Sequence, residues 1–183
     1  MKRMLYLAVA ILVAACSPKA EDPALTALKA KLSEALPDAK EIYVKSFEKV
    51  DSTTFGQEYQ NRLDLFDVKI KVLTEQCEKY MKAGKTNNAA VKQTDLKKAA
   101  ATLARVSALK ESVEAIKDKV AYYDYKFSAV IKSEGGSQTV DGWYACITPE
   151  NEVIGYTSKQ KDLHKGVGKL IPGYKEALGG EEE

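Results

Sequence analysis

The residues with the widest chemical range in this sequence are one histidine, three cysteines and a glycine-lysine run near the C-terminus. A Ser-His-Asp or Cys-His device needs its imidazole beside an exposed nucleophile. His164 is the single histidine, and no Gly-x-Ser-x-Gly or comparable signature accompanies it. Set among Lys159, Lys161, Lys165 and Lys169, it reads as a solvated loop side chain. One histidine without a cysteine or carboxylate spacing pattern does not build a zinc site, so neither metal nor cofactor is expected. Lys165-Gly166-Val167-Gly168-Lys169 has the outline of a phosphate loop. The pattern fails where Leu163 replaces the first glycine and Leu170 replaces the Ser or Thr that would hold magnesium. A basic patch remains, in which Lys165 and Lys169 could meet an anionic headgroup or an acidic glycan. Carboxylates lie at solvent-like spacings with no general acid/base pair among them, so an enzyme is not expected.

Aromatic side chains offer a second kind of chemistry, platforms for sugars or peptides. Tyr122, Tyr123, Tyr125, Phe127, Trp143, Tyr144, Tyr156 and Tyr174 cluster in the last third of the chain. Alternation puts Tyr123, Tyr125 and Phe127 on one buried face. Tyr122 and one of the pair Trp143 and Tyr144 are then left for binding, and Trp143 is taken as the candidate.

The N-terminus carries an address. Lys2 and Arg3 precede a largely apolar run from Met4 to Ala15, too short for the roughly 20 apolar residues that span a bilayer. It ends in Val13-Ala14-Ala15-Cys16, which resembles the lipobox of bacterial lipoproteins. The resemblance implies that residues 1–15 are a signal peptide and that the thiol of Cys16 carries diacylglycerol, with the new amine acylated, palmitate being a usual chain. Acyl chains contribute roughly 0.8 kcal/mol per buried methylene, so two or three hold the chain to the membrane. Ser17, where inner-membrane lipoproteins of enteric bacteria often carry Asp, leans the expectation towards the outer membrane of the cell envelope. Residues 16–22 form a tether reaching about 20 Å at most. With Cys16 lipidated, Cys77 and Cys146 are left as an even number in an oxidising compartment. A disulfide between them and two buried apolar thiols are both open readings.

The formal charge of +2 includes Lys2 and Arg3. Without them 26 basic residues face 26 acidic ones, leaving no global field to attract nucleic acid. Apolar residues at 45% and charged residues at 30% exclude both a disordered chain and a multi-span membrane protein.

The elements that must position these groups follow from periodicity. Asp22-Pro23 opens a short amphipathic helix through Leu25, Leu28, Leu32 and Leu36, and Pro37 stops it. Lys40 to Asp51 reads as a strand whose alternation slips near Ser46, the mark of a bulge. Thr54 and Gln57 make a capping box. Beyond it Tyr59, Leu63, Phe66, Ile70, Leu73, Cys77 and Tyr80 form a heptad seam that ends at Gly84. Leu96 to Val120 carries a second long helix, joined through a polar loop at Lys85 to Asn88. Ala121 to Ile131 alternates as a half-buried strand, and strands at 138–148 and 153–157 complete a meander.

The expected fold is α+β: a long antiparallel helical hairpin packed on a curved antiparallel sheet of about four strands. It occupies residues 23–178, and residues 179–183 form an acidic tail. This element order resembles the cystatin-like and NTF2-like folds. Residues 122–130 and 157–174 resemble segments of small bacterial lipoproteins with no assigned activity. The expected role is that of a membrane-anchored envelope lipoprotein that binds a protein or envelope component without catalysis. The alternative is a small-ligand or glycan binder using a pocket between sheet and helices.

Overall fold

A computed structural model describes residues 21–179. The leader, Cys16 and the end of the acidic tail lie outside the described residues. Helix α1 is Pro23–Ala35. The Asp22 carboxylate accepts the Ala24 N–H at 2.9 Å, and Pro23 has no N–H that the first turn would leave unmet. Strand β1, Ala39–Thr54, runs directly into helix α2, Phe55–Lys82. Thr54 ends one and caps the other. Its hydroxyl accepts the Gln57 N–H at 3.3 Å while the Gln57 side chain accepts the Thr54 N–H at 2.9 Å. Twenty-eight residues make α2 about 42 Å long. Gly84 turns the chain with φ +69°, and helix α3, Thr86–Ser107, packs along α2.

The second long helix is shorter than its periodicity suggests. It stops at Ser107 and yields to a five-residue helix α4, Lys110–Glu114. Side-chain hydroxyls add hydrogen bonds to backbone carbonyls at this break. The Tyr59 hydroxyl donates to Ser107 O at 3.0 Å, and the Ser112 hydroxyl donates to Leu109 O at 2.7 Å.

Strands β2, Val120–Ser133, β3, Gly136–Ile147, and β4, Val153–Thr157, complete a four-stranded antiparallel sheet in the order β1-β2-β3-β4. The register between β1 and β2 shifts between Val44 and Ser46, where the alternation slips. Past β4 the segment 158–178, termed the strap, contains two 3₁₀ turns, Gln160–Asp162 and Val167–Leu170, and helix α5, Tyr174–Ala177.

The paired helices do not cover the sheet. One sheet face, with Tyr125, Phe127, Ala129 and Ile131, packs against Ala24, Leu28 and Leu32 of α1. Thus the short first helix is the lid of the main core. The α2 seam closes instead on α3, α4 and the strap, where Tyr59 gathers with Val106, Val113, Ile171, Tyr174 and Ala177. Small residues let these helices approach, since Ala89 and Ala99 of α3 are almost fully buried. Gly56 lets α2 start against the sheet's end: a Cβ there would lie 3.1 Å from both Cβ and O of Lys117. The strap covers the other sheet face near the start of β2, with Leu163 and Val167 on Tyr122 and Cys146.

Candidate functional site

The strap, the first turns of α2 and the start of β2 meet around five polar side chains. On β2, Tyr122 and Asp124 point away from the α1 face because strand side chains alternate. On α2, Glu58 and Arg62 are one turn apart, so both project towards β2 and the strap. His164 arrives from the strap between its two 3₁₀ turns. Arg62 Nε donates to Glu58 Oε1 at 2.5 Å, and the Tyr122 hydroxyl donates to Glu58 Oε2 at 3.0 Å. Arg62 also donates to the carbonyl of His164 at 3.0 Å. His164 Nε2 lies 2.8 Å from Asp124 Oδ2. A carboxylate oxygen accepts, so Nε2 carries the proton.

Burial makes this network stringent. Glu58, Arg62, Tyr122 and Asp124 are all more than nine-tenths buried, whereas 40% of the His164 side chain is open. Asp124 Oδ1 is buried and accepts no hydrogen bond from the described residues. The hydrogen bond to Asp124 raises the His164 pKa above the ordinary imidazole value; the charges of Asp124 and Glu58 act the same way against burial and Arg62. Burial, reinforced by Asp124 and Glu58, pushes the Cys146 thiol far up. Cys146 sits opposite Asp124 in the β2–β3 register. Fully buried and held as the thiol, it is not a nucleophile for His164. Burial likewise keeps the Tyr122 phenol protonated and donating.

Beside this network runs an open groove of about 1360 Å³ between α2, α3 and the strap. Leu65, Phe66, Leu73 and Ala99 supply apolar wall, and Lys69, Lys98, Lys161 and Lys165 bring positive charge. Arg62 and His164 form one end, so the buried network and the groove share a wall.

Several residues take other places than the sequence suggests. Tyr122 is no platform, because its ring is buried and its hydroxyl is held by Glu58. Trp143 is half-buried on the α1 face, with its ring centroid 6.5 Å from Phe127 and 6.3 Å from Tyr156. His164 is no merely solvated loop residue; it is tied to a buried carboxylate. Lys165 does line the groove, but it is paired with Asp162 at 2.8 Å. Lys169 is exposed on the second 3₁₀ turn and is not among the groove-lining residues. Val167 and Gly168 are buried, which turns the glycine-lysine run inward as packing. Cys77 and Cys146 are free thiols, so no bridge joins them. Cys77 faces α3, its sulfur 3.7 Å from Ala89 O, while Cys146 lies under the strap. Among the described residues no three or more His, Cys, Asp or Glu side chains gather as metal ligands, and no helix is long and apolar enough to cross a membrane.

Glu58, Arg62 and Asp124 were hidden in the sequence. Glu58 and Arg62 have the spacing of an exposed ion pair, and Asp124 alternates like a solvent-facing strand residue. The available signal is the run Ala121-Tyr122-Tyr123, where apolar neighbours on both faces betray a strand covered twice. Comparisons with protein-family models, curated proteins and solved structures found no match to this chain.

Proposed function

We propose that this chain is an envelope lipoprotein, anchored through lipid on Cys16, that presents the groove to a binding partner and has no catalytic role. The groove carries the reading. Its walls leave Leu65 and Val68 more than half exposed beside lysines, a surface that gains by being covered. The lipobox and the short tether would hold that groove near the membrane, with the outer membrane as the expected location. We read α2 and α3 as an antiparallel hairpin that offers the partner a long, stiff wall.

Two measurements test this reading. A palmitate analogue should label the chain in cells, and Cys16→Ala should abolish the label and release the protein from membranes. A photocrosslinker at Val68 should give discrete adducts in the intact envelope where one at Glu48 on β1 does not. Label retained by the mutant would overturn the anchor; equal adducts from both positions would overturn the groove.

One observation favours a second reading, a small anionic ligand or acidic glycan. Arg62, Lys161, His164 and Lys165 share one end of the groove. Calorimetric titration with an acidic oligosaccharide would show saturable binding lost in Lys161→Glu if that reading held.

A further inference from the structure

The groove's two kinds of residue are arranged by helix period and along its length. Leu65 and Val68 line it and Val72 continues their row, at steps of three and four on α2, with 57%, 61% and 44% of their surfaces exposed. Such a row is one apolar face of a helix left exposed among the described residues. The charges flanking it are not all paired among the described residues. Lys92 is neutralised by Asp95 at 3.1 Å and Lys165 by Asp162 at 2.8 Å. Lys69 on α2, Lys98 on α3 and Lys161 on the strap have no ion-pair partner among the described residues; of the three acids that line the groove, Glu58 is taken by Arg62 and Asp95 by Lys92, which leaves Asp64, whose carboxylate accepts from Gln60.

We infer that the groove is the docking site for an acidic amphipathic helix of a partner protein; this rests on the binding role proposed above but not on the lipid anchor. Length, charge and size agree. The α2 residues that line the groove run from Glu58 to Leu73, about 22 Å or four helical turns. A helix of that length lays an apolar row into the groove at the same period and sets Glu or Asp against lysines on three separate elements. One small headgroup would meet only one end of this spread of charge. The volume of about 1360 Å³ also exceeds the roughly 300–1,000 Å³ usual for small-molecule sites. Complementary charge here sets specificity and encounter rate more than affinity.

The test uses the full lipidated chain in phosphatidylcholine nanodiscs, with empty discs subtracted. The probe is a fluorescein-labelled 16-residue helical peptide with Leu at i, i+3, i+4 and i+7 and Glu on its other face; the control carries Lys in place of Glu. The Glu peptide should bind at least about tenfold more tightly than the Lys peptide, and the gap should shrink at high salt. Lys69→Glu with Lys98→Glu should invert the preference. Val68→Ser should weaken both peptides, and its melting temperature should match wild type because the side chain is exposed. Equal binding of the two peptides, or Glu-peptide binding that survives the charge reversal, overturns the inference. So does displacement of the peptide by phosphatidylglycerol vesicles but not by phosphatidylcholine vesicles, which would make the groove a lipid-headgroup site. Discrete crosslinks from Val68 in cells with no Glu-peptide binding would remove the acidic helix while leaving the binding role intact.

Discussion

The two faces of the sheet are buried by opposite means. Under α1 the buried cluster is made of hydrophobic side chains: Leu28 and Leu32 gather with Phe127, Ala129 and Ile131, and none of the buried charged residues belongs to it. Under the strap, burial encloses Glu58, Arg62, Tyr122 and Asp124, with His164 at the edge. The first face is held by area removed from water, at about 1.5–3 kcal/mol for a fully buried Leu. The second is held by completeness, because each buried polar group is a liability once its partner is gone. The difference teaches where the molecule tolerates change. The α1 face should lose stability gradually with volume, whereas the strap face should fail by broken pairs.

The sharpest way to break this contrast is Arg62→Ala. It leaves the Glu58 carboxylate buried without its guanidinium, and loss of about 3–5 kcal/mol is expected. The double variant Glu58→Gln with Arg62→Met should lose much less, since it removes both charges together. Urea denaturation measures both, and equal losses would mean that the pair is not the point of failure. Leu28→Ala comes next, at about 2–5 kcal/mol, and should be matched by Leu32→Ala. A loss below about 0.5 kcal/mol would show that α1 is not the lid.

The pH dependence separates the faces further. His164 has a raised pKa in the folded protein, so its contribution is fully present below the unfolded value of about 6.5. It is lost as pH rises through the folded value. The urea midpoint should therefore fall as pH rises from about 6.5 through the raised folded value, and Asp124→Asn should flatten that slope while Leu28→Ala leaves it intact. An unchanged slope in Asp124→Asn would remove the His164–Asp124 pair from the account.

Two smaller effects sharpen the comparison. Ile70 lies on the heptad seam but is only half-buried, so Ile70→Ala should cost about 1–2 kcal/mol, against about 0.5 kcal/mol or less for Lys71→Ala. The thiols should differ in kinetics alone: Cys77, part-exposed, reacts with a thiol reagent in the folded protein, and Cys146 only after unfolding. Absence of titratable thiols under denaturing, non-reducing conditions would restore the disulfide.

Much of the local structure is legible because its causes are local. Asp22 and Pro23 start α1, Thr54 and Gln57 close a capping box, and the slip at Ser46 marks the bulge, each within a few residues of its partner. The alternation of Tyr123, Tyr125, Phe127, Ala129 and Ile131 names one sheet face correctly. The same pattern misleads for Asp124, since alternation says which side a residue faces and not what lies on that side.

Periodicity likewise shows that α2 has an apolar seam but not what it meets. Both α1 and the α2 seam could cover a sheet, and tertiary packing awarded the sheet to α1 and the seam to α3, α4 and the strap. The polar site depends on pairs far apart in the chain. Tyr122 and Glu58 are 64 residues apart, and His164 and Asp124 are 40 apart. The sequence by itself determined the α+β element order, the caps, the bulge and the apolar faces, because short-range sterics and hydrogen bonding act between neighbours. Only the tertiary structure decided which apolar faces met and which polar groups were sealed together. Those choices depend on the free energy of the whole packed arrangement, to which residues distant in the chain contribute equally.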